Sequence, residues 1–298
     1  MRDPGRSVGL SVAIVVCALF LTSCMIPIPT VEPLTVIEPV DEVQVVPRGE
    51  AERAQVRLRL VSQRLTARST VDGSLLTGRF HYNVKEWAPK ISREVSDGVA
   101  LVTVSQGVGS WIPLGKHEEY TNTWDVALAE GVPLDLGIDM GTGAAALDLT
   151  GLSLTRLSLT TGAADVHVMF RAPNPEPLST VQVRVGTGQF VGVGLGNANF
   201  DQFNVLGGAG SLDLDLTGAY SRSALVDIKA GAGRVTVRVP ADIGVRVTFS
   251  GVPVVPVEVS GLAERGEDEY VNAAYGNAPL TLTVRIATGV GAVSLVSE

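Results

Sequence analysis

From about Gln55 onward, apolar residues alternate with polar ones at a period of two, and Gly, Asn and Pro interrupt the runs at short intervals. That spacing predicts half-buried strands and no convincing helix. Within the alternation a glycine theme returns: Gly141-Thr-Gly143, Gly162-Ala-Ala164, Gly186-Thr-Gly188, Gly208-Ala-Gly210, Gly231-Ala-Gly233 and Gly289-Val-Gly291. The leading glycines at 141, 162, 186, 208 and 231 are 21, 24, 22 and 23 residues apart, which marks an internal repeat.

The flanks keep register with these glycines. Five and three residues ahead stand Leu136 and Ile138, Leu157 and Leu159, Val181 and Val183, Phe203 and Val205, Val226 and Ile228, Val284 and Ile286. Four and six residues behind stand Ala145 and Leu147, Val166 and Val168, Leu212 and Leu214, Val235 and Val237, Val293 and Leu295. The third repeat departs: Phe190 fits, but the apolar positions then move to Val191, Val193 and Leu195, as a bulge or a slipped register would produce. Asp139, Arg184, Asp213, Asp215, Asp227, Lys229, Arg238 and Arg285 fall on the opposite, water-facing parity.

A unit of about 22 residues cannot bury its apolar face alone, whereas stacking on equivalent units makes a continuous core. Glycine within a strand costs about 0.5–1 kcal/mol relative to Ala, so its regular return implies a corner that a side chain would obstruct. The pattern predicts an all-β fold: a single-stranded parallel β-solenoid, a right-handed β-helix, with irregular N-terminal turns and a degenerate C-terminal coil. Val56 and Leu58 ahead of Val61-Ser62-Gln63, and Val245 and Val247 ahead of Ser250-Gly251, extend it as worn repeats, with a larger excursion near Gly261 to Asn277. The competing fold is an antiparallel sandwich whose hairpins close at Gly-x-Gly, but a sandwich need not keep the apolar offsets over six sites.

Composition then narrows the class. Hydrophobic residues make up 45% of the 298 but aromatics only 5%, which suits aliphatic β packing. A formal charge of −8 shows no basic stripe, so a nucleic-acid partner is excluded. Arg2 and Arg6 precede the apolar run Val8 to Leu21, too short for a comfortable span and right for a signal peptide over residues 1–23. Leu21, Thr22, Ser23 and Cys24 form a lipobox, predicting lipidation of Cys24 at the mature N-terminus. Loss of Arg2, Asp3 and Arg6 removes a net +1 and leaves −9; Cys17 leaves too, so no disulfide can staple the mature chain. Residues 24–53 carry Pro27, Pro29, Pro33, Pro39 and Pro47 and predict an extended tether. The domain proper is expected over 54–298, irregular to 130 and regularly repeated from 131.

Several stretches together resemble a known family. They are LLTGRFHYNVKEWAPKI (75–91), WDVALAEGVPLDLGIDMGTGAAALDLTGLSLTRLSL (124–159), GLGNANF (194–200) and YVNAAYG (270–276). Together they resemble the bacterial toast-rack domain proteins, relatives of the LiaF-like and putative-adhesin families. The resemblance implies an extracytoplasmic β-solenoid, with some relatives linked to cell-envelope stress signalling, and it supplies no catalytic residues. The chain departs from LiaF-type proteins in lacking their group of spanning helices; the lipid anchor replaces it.

Candidate chemistry is sparse. His81, His117 and His167 are scattered, and His117-Glu118-Glu119 lacks a second histidine at zinc spacing. No Gly-x-Ser-x-Gly elbow occurs, and Gly192-Val-Gly194-Leu-Gly196 has no helix after it to hold a nucleotide. Stacking could align Asp148, Asp213 and Asp215 as in sugar-cleaving β-helices, but alternation puts them equally well on a solvated face. Tyr82, Trp87, Trp111, Tyr120 and Trp124 concentrate at the N-terminal end, either as a ligand platform for glycans or as a cap over the open core. Asn197, Asn199 and Asn272 suit either polar ligands or left-handed turns. These readings converge on a noncatalytic, cofactor-free lipoprotein, anchored to a bacterial cell or outer membrane, that displays an interaction scaffold. Its expected partners are the membrane and an envelope protein or cell-wall polymer.

Overall fold

Alternation at period two over long stretches yields strands, and a computed structural model shows how they join. It describes residues 34–107, 120–250 and 256–298. The described residues all fall in one compact unit, Pro33–Glu298. The segment expected to be a signal peptide, the expected lipobox residues Leu21 to Cys24, Trp111 and His117 lie outside the described residues.

In chain order the strands are β1 (Val36–Pro47), β2 (Arg53–Thr70), β3 (Ser74–Val84), β4 (Pro89–Ser96), β5 (Val99–Gln106) and β6 (Asn122–Ala129). Five long strands follow: β7 (Pro133–Asp148), β8 (Ser153–Met169), β9 (Leu178–Val193), β10 (Phe200–Asp215) and β11 (Ala224–Val239). The chain ends with β12 (Gly244–Phe249), β13 (Val257–Ser260), β14 (Ala263–Gly266), β15 (Glu269–Val271) and β16 (Thr281–Ser297). All join one sheet whose main path runs β1-β3-β6-β2-β7-β8-β9-β10-β11-β16-β12-β15-β14. The fold is all-β. The expectation of parallel pairing throughout is corrected, because the sheet is mixed: β2, β7 to β11 and β16 pair in parallel, while β1, β3 and β6 at one end and β12, β15 and β14 at the other pair antiparallel. A terminal layer has an open edge, and short antiparallel hairpins cover it without needing another full repeat.

The length of the strands forces them to bend. Sixteen residues of β7, drawn straight, would span about 53 Å. Only Leu149 to Leu152 separate its end from β8, whose start lies beside the start of β7, and five residue steps reach about 18 Å. Each long strand must therefore double back at its glycine corner. Leu136 and Ile138 on the first leg and Ala145 and Leu147 on the second are all buried, as are their counterparts in the following layers. The core is thus held between two legs of the same strand, and the connections seal it with Leu149, Phe170, Leu195 and Leu216.

The glycines answer to the layer beneath. A methyl at Gly208 would overlap the carbonyl oxygen of Gly186, and one at Gly210 would overlap that of Gly188. Gly210 also has φ 136°, which L side chains rarely adopt. The corner of β2 has no such layer: its Val61 and Ser62 amides are met by the Oε1 of Gln106 at 2.9 and 3.4 Å, and the Ser62 carbonyl by Asn122 Nδ2 at 2.9 Å. With side chains rather than backbone on the side away from β7, Val61 and Ser62 need no glycine.

The same constraint sets the order of layers. The spacing of the repeats places the worn unit of Val245 and Val247 ahead of Gly289 in the stack, yet β16 lies directly against β11 and β12 lies outside it. Gly289 and Gly291 fit over the carbonyls of Gly231 and Gly233, where added methyls would overlap. The sequence after β12 reads Ser250-Gly251-Val252-Pro253 and lacks the second glycine, and β12 takes the outer position. There β12 pairs with the first leg of β16 and β13 with its second.

Two further expectations change. Residues 36–47 of the stretch read as tether form β1, an antiparallel partner of β3. Its prolines are accommodated because Pro39 falls between the paired positions Val36 and Val40 and Pro47 at the second register shift, both in a strand at the end of the sheet. The third repeat is not slipped, since Phe190 pairs with Leu212 and Gly192 with Leu214 in unbroken register. Gly192 occupies the inward slot, and Leu195 folds back to fill it, its Cδ1 2.6 Å from where a Cβ of residue 192 would sit.

Candidate interaction surface

The interior of the ladder is tightly filled where its layers meet at Phe190 and Phe203. The void among Leu157, Val181, Phe190 and Phe203 is about 10 Å³, room for one water at most. Chemistry must therefore be sought on the faces and at the connections.

The N-terminal aromatics point inward. Trp87 and Trp124 are fully buried, and Tyr82 and Tyr120 nearly so. Trp124 packs edge-on against Phe80 at 5.1 Å and donates from Nε1 to Asn122 Oδ1 at 3.0 Å, while Trp87 lies 5.8 Å from Tyr120. No ring face of Trp87 or Trp124 is open to stack on a sugar, so as a glycan platform this pair is corrected. The physical reason is area: at the end of a ladder of mostly aliphatic residues, large rings bury the most apolar surface per residue.

The asparagines hold connections. Asn272, 5% exposed, accepts from Val245 N at 2.9 Å and donates to the carbonyls of Pro240 and Ile243 at 3.1 and 2.7 Å. Asn197 donates to Phe170 O and accepts from Ala219 N, tying three successive connections. Asn199 has φ 55°, the left-handed turn that its residue type tolerates. Pattern reading missed Asn174, buried between Pro173 and Pro175, which accepts from Leu154 N and donates to Leu154 O as a neighbouring strand would. An Asn flanked by prolines in a connection is the signal that could have found it.

The aspartates do not converge. Asp213 pairs with Arg238 at 2.8 Å, a hydrogen bond that raises the guanidinium pKa. Asp148 pairs with Arg171 at 3.5 Å, and Asp215 accepts from Thr217 and from Gly194 N. His81 contacts Asp41 at 2.7 Å, and His167 is exposed on its strand. Among the described residues no group of three or more His, Cys, Asp or Glu could hold a metal ion. At the connections, burial pushes the Tyr220 phenol well above its ordinary pKa, and its hydroxyl donates to Leu216 O at 2.7 Å.

Among the described residues, open grooves lie on the outer face of the first legs. One, about 520 Å³, runs by Arg59, Lys90, Ser105, Asp139 and Thr160; Gln106 lines it, and its Nε2 is buried without a partner. The other, about 430 Å³, is lined by Gln182, Arg184, Asn204, Leu206, Asp227, Lys229 and Arg285, with Val183 and Val205 beneath. Register makes the second regular: Gln182, Asn204, Asp227 and Arg285 form one cross-strand row, and Arg184, Leu206 and Lys229 the next.

The sequence over residues 37–190 matches the family described as the N-terminal domain of toast_rack, DUF2154. The chain belongs to the toast-rack family. The matched toast-rack region runs from β1 to the corner of β9, and the ladder continues past it without a break in register. Among solved structures this toast-rack chain is similar to a putative cell adhesion protein from Clostridium sporogenes, at 26% identity over 88% of this chain and 100% of that one, with a TM-score of 0.49. It is also similar to a putative adhesin from Bacteroides fragilis, at 11% identity over 87% of this chain and 97% of the other, with a TM-score of 0.38. No curated protein matches the toast-rack sequence. Among the described residues no helix is long and apolar enough to cross a membrane.

Proposed function

We propose that this toast-rack protein is a noncatalytic envelope lipoprotein that displays a rigid β-scaffold outside the cytoplasm, held to the membrane by acyl chains on Cys24. The observation that carries the reading is the in-register ladder of β7 to β11 and β16, which keeps a continuous apolar core while turning polar side chains outward in straight rows. In this reading the long strands wind as a parallel coil, supported by the strand lengths and short connections given above. Such a frame needs no disulfide and moves little, which suits presentation of a surface more than turnover of a substrate. The lipobox supports the anchor, since two or more acyl chains, at about 0.8 kcal/mol per buried methylene, hold a protein on a bilayer without a spanning helix.

The test is membrane fractionation of the native protein and the Cys24→Ala variant, with incorporation of labelled fatty acid as a second readout. The native chain is expected in the membrane fraction and labelled, the variant released or unprocessed and unlabelled. Equal membrane retention and equal labelling of both would end the anchor reading. A role in envelope stress, carried by the resemblance to LiaF-like relatives, predicts altered induction of stress reporters when the gene is deleted, restored by the native chain and not by Cys24→Ala.

A further inference from the structure

The second groove departs from the charge of the molecule around it. The chain carries −8 overall, yet Arg184, Lys229 and Arg285 face this groove against the single carboxylate of Asp227, a local excess of two positive charges. The ion pair of Arg285 with Asp227, at 3.7 Å, leaves the other two cations uncommitted among the described residues: there Arg184 donates to the neutral Gln182 Oε1 at 3.1 Å and has no ion pair, and Lys229 has none either. Several other ladder arginines are matched to acids in the next layer, as in Arg57 with Asp135 and Arg238 with Asp213; Arg234 has no ion pair among the described residues, but its row of Gln189, Ser211 and Ala292 brings no second cation beside it. The two uncommitted cations sit two strands apart in one row, about 10 Å, with the half-exposed Leu206 between them. In the adjacent row the amides of Gln182 and Asn204 offer donors and acceptors at the spacing of neighbouring strands.

We infer that this groove binds a linear polysaccharide bearing carboxylates, lying across β9, β10 and β11. Arginine and lysine supply charge-assisted hydrogen bonds to carboxylates, the amides suit hydroxyls, and Leu206 offers an apolar spot for the C–H face of a sugar ring between them. The groove is open rather than pocketed, so it takes a chain rather than an end group. This deepens the display reading and rests on it, naming the chemical class of what the scaffold meets.

The experiment uses the full-length lipidated protein in detergent, with polygalacturonate as probe, its fully methyl-esterified form as the uncharged counterpart, and poly(glycerol phosphate) as an anion without sugar carboxylates. Binding is followed by calorimetry at two salt concentrations. Polygalacturonate is expected to bind, more weakly at higher salt, and the esterified polymer not to bind. The Arg184→Gln/Lys229→Gln double variant should lose about tenfold or more in affinity. Arg234→Gln, a cation on the outer face of a second leg, should leave affinity unchanged. Melting temperatures identical to wild type establish that the variants fold. The inference is overturned if polygalacturonate does not bind, if the esterified or phosphate polymer binds as well, or if Arg234→Gln weakens binding as much as the double variant. Those results leave the anchor reading untouched, because fractionation and labelling at Cys24 test it separately.

Discussion

Asn272 concentrates more hydrogen bonding on one buried side chain than any pattern in the chain suggests, and its removal has a calculable cost. Asn272→Ala leaves the Val245 amide and the carbonyls of Pro240 and Ile243 without their side-chain partner, in a site 5% exposed. At about 1 kcal/mol for each group left unsatisfied, the low end for buried polar groups, the loss is about 3 kcal/mol. Urea unfolding followed by tryptophan fluorescence, which reads the buried Trp87 and Trp124, should show it directly. With a slope near 3 kcal/mol/M, the midpoint should fall by about 1 M with the slope unchanged. Asn272→Asp sharpens the test. It keeps the acceptor for Val245 N but sets a carboxylate oxygen against two carbonyls, so the folded state disfavours the charged form and raises the pKa of the new group. A raised carboxylate pKa means stability that is present at low pH and lost as pH rises through the folded value. The Asp variant should therefore be less stable than the Ala variant at pH 7 and regain part of the difference near pH 4. A midpoint shift under about 0.3 M for Ala, or an Asp variant as stable as wild type at pH 7, would refute the stapling role.

Three other outcomes follow from the geometry. Gly208→Ala and Gly210→Ala should each cost more than about 3 kcal/mol or prevent folding, because the added methyl overlaps a carbonyl of the layer below, whereas Ala209→Gly between them should cost under about 1 kcal/mol; thermal melts of the three decide it. Gly192→Val should destabilise by crowding Leu195, and Leu195→Ala should cost about 2–4 kcal/mol alone, while the double variant should recover more than about 1 kcal/mol relative to the sum in a double-mutant cycle. Truncation before Thr281 removes β16 and leaves the facing edges of β11 and β12 unpaired, so the shortened chain should elute as aggregates on size exclusion; a monodisperse, folded monomer would count against the inserted position of β16.

The ladder from β7 to β11 was legible because one residue type does one job at a fixed interval: glycine where a carbonyl approaches, aliphatics three and five positions ahead of the leading glycine and four and six behind it. The ends were less legible. Val61-Ser62-Gln63 looks like a failed repeat until Gln106 and Asn122 are seen to replace the missing layer with side chains. Residues 36–47, rich in acids and bracketed by prolines, read as tether because the prolines outweigh the weak alternation; in the sheet they sit where an outermost strand tolerates them. The aromatics gave composition but no direction, since one ring serves equally well as cap or platform until its burial is known. Arg184 and Lys229 were read correctly as outward, but nothing in their spacing said that no acid would stand opposite them.

By itself, the sequence determined which aliphatic residues of the regular repeats face inward and where those strands must turn, because strand parity and the steric demand for glycine act within a few residues of the chain. Only the tertiary structure decided the order in which layers stack and which ends are closed by antiparallel hairpins. Those depend on which corner fits over which, a contact between segments 58 residues apart in the case of Gly231 and Gly289, and on a competition between β12 and β16 for the same edge that no local pattern can resolve.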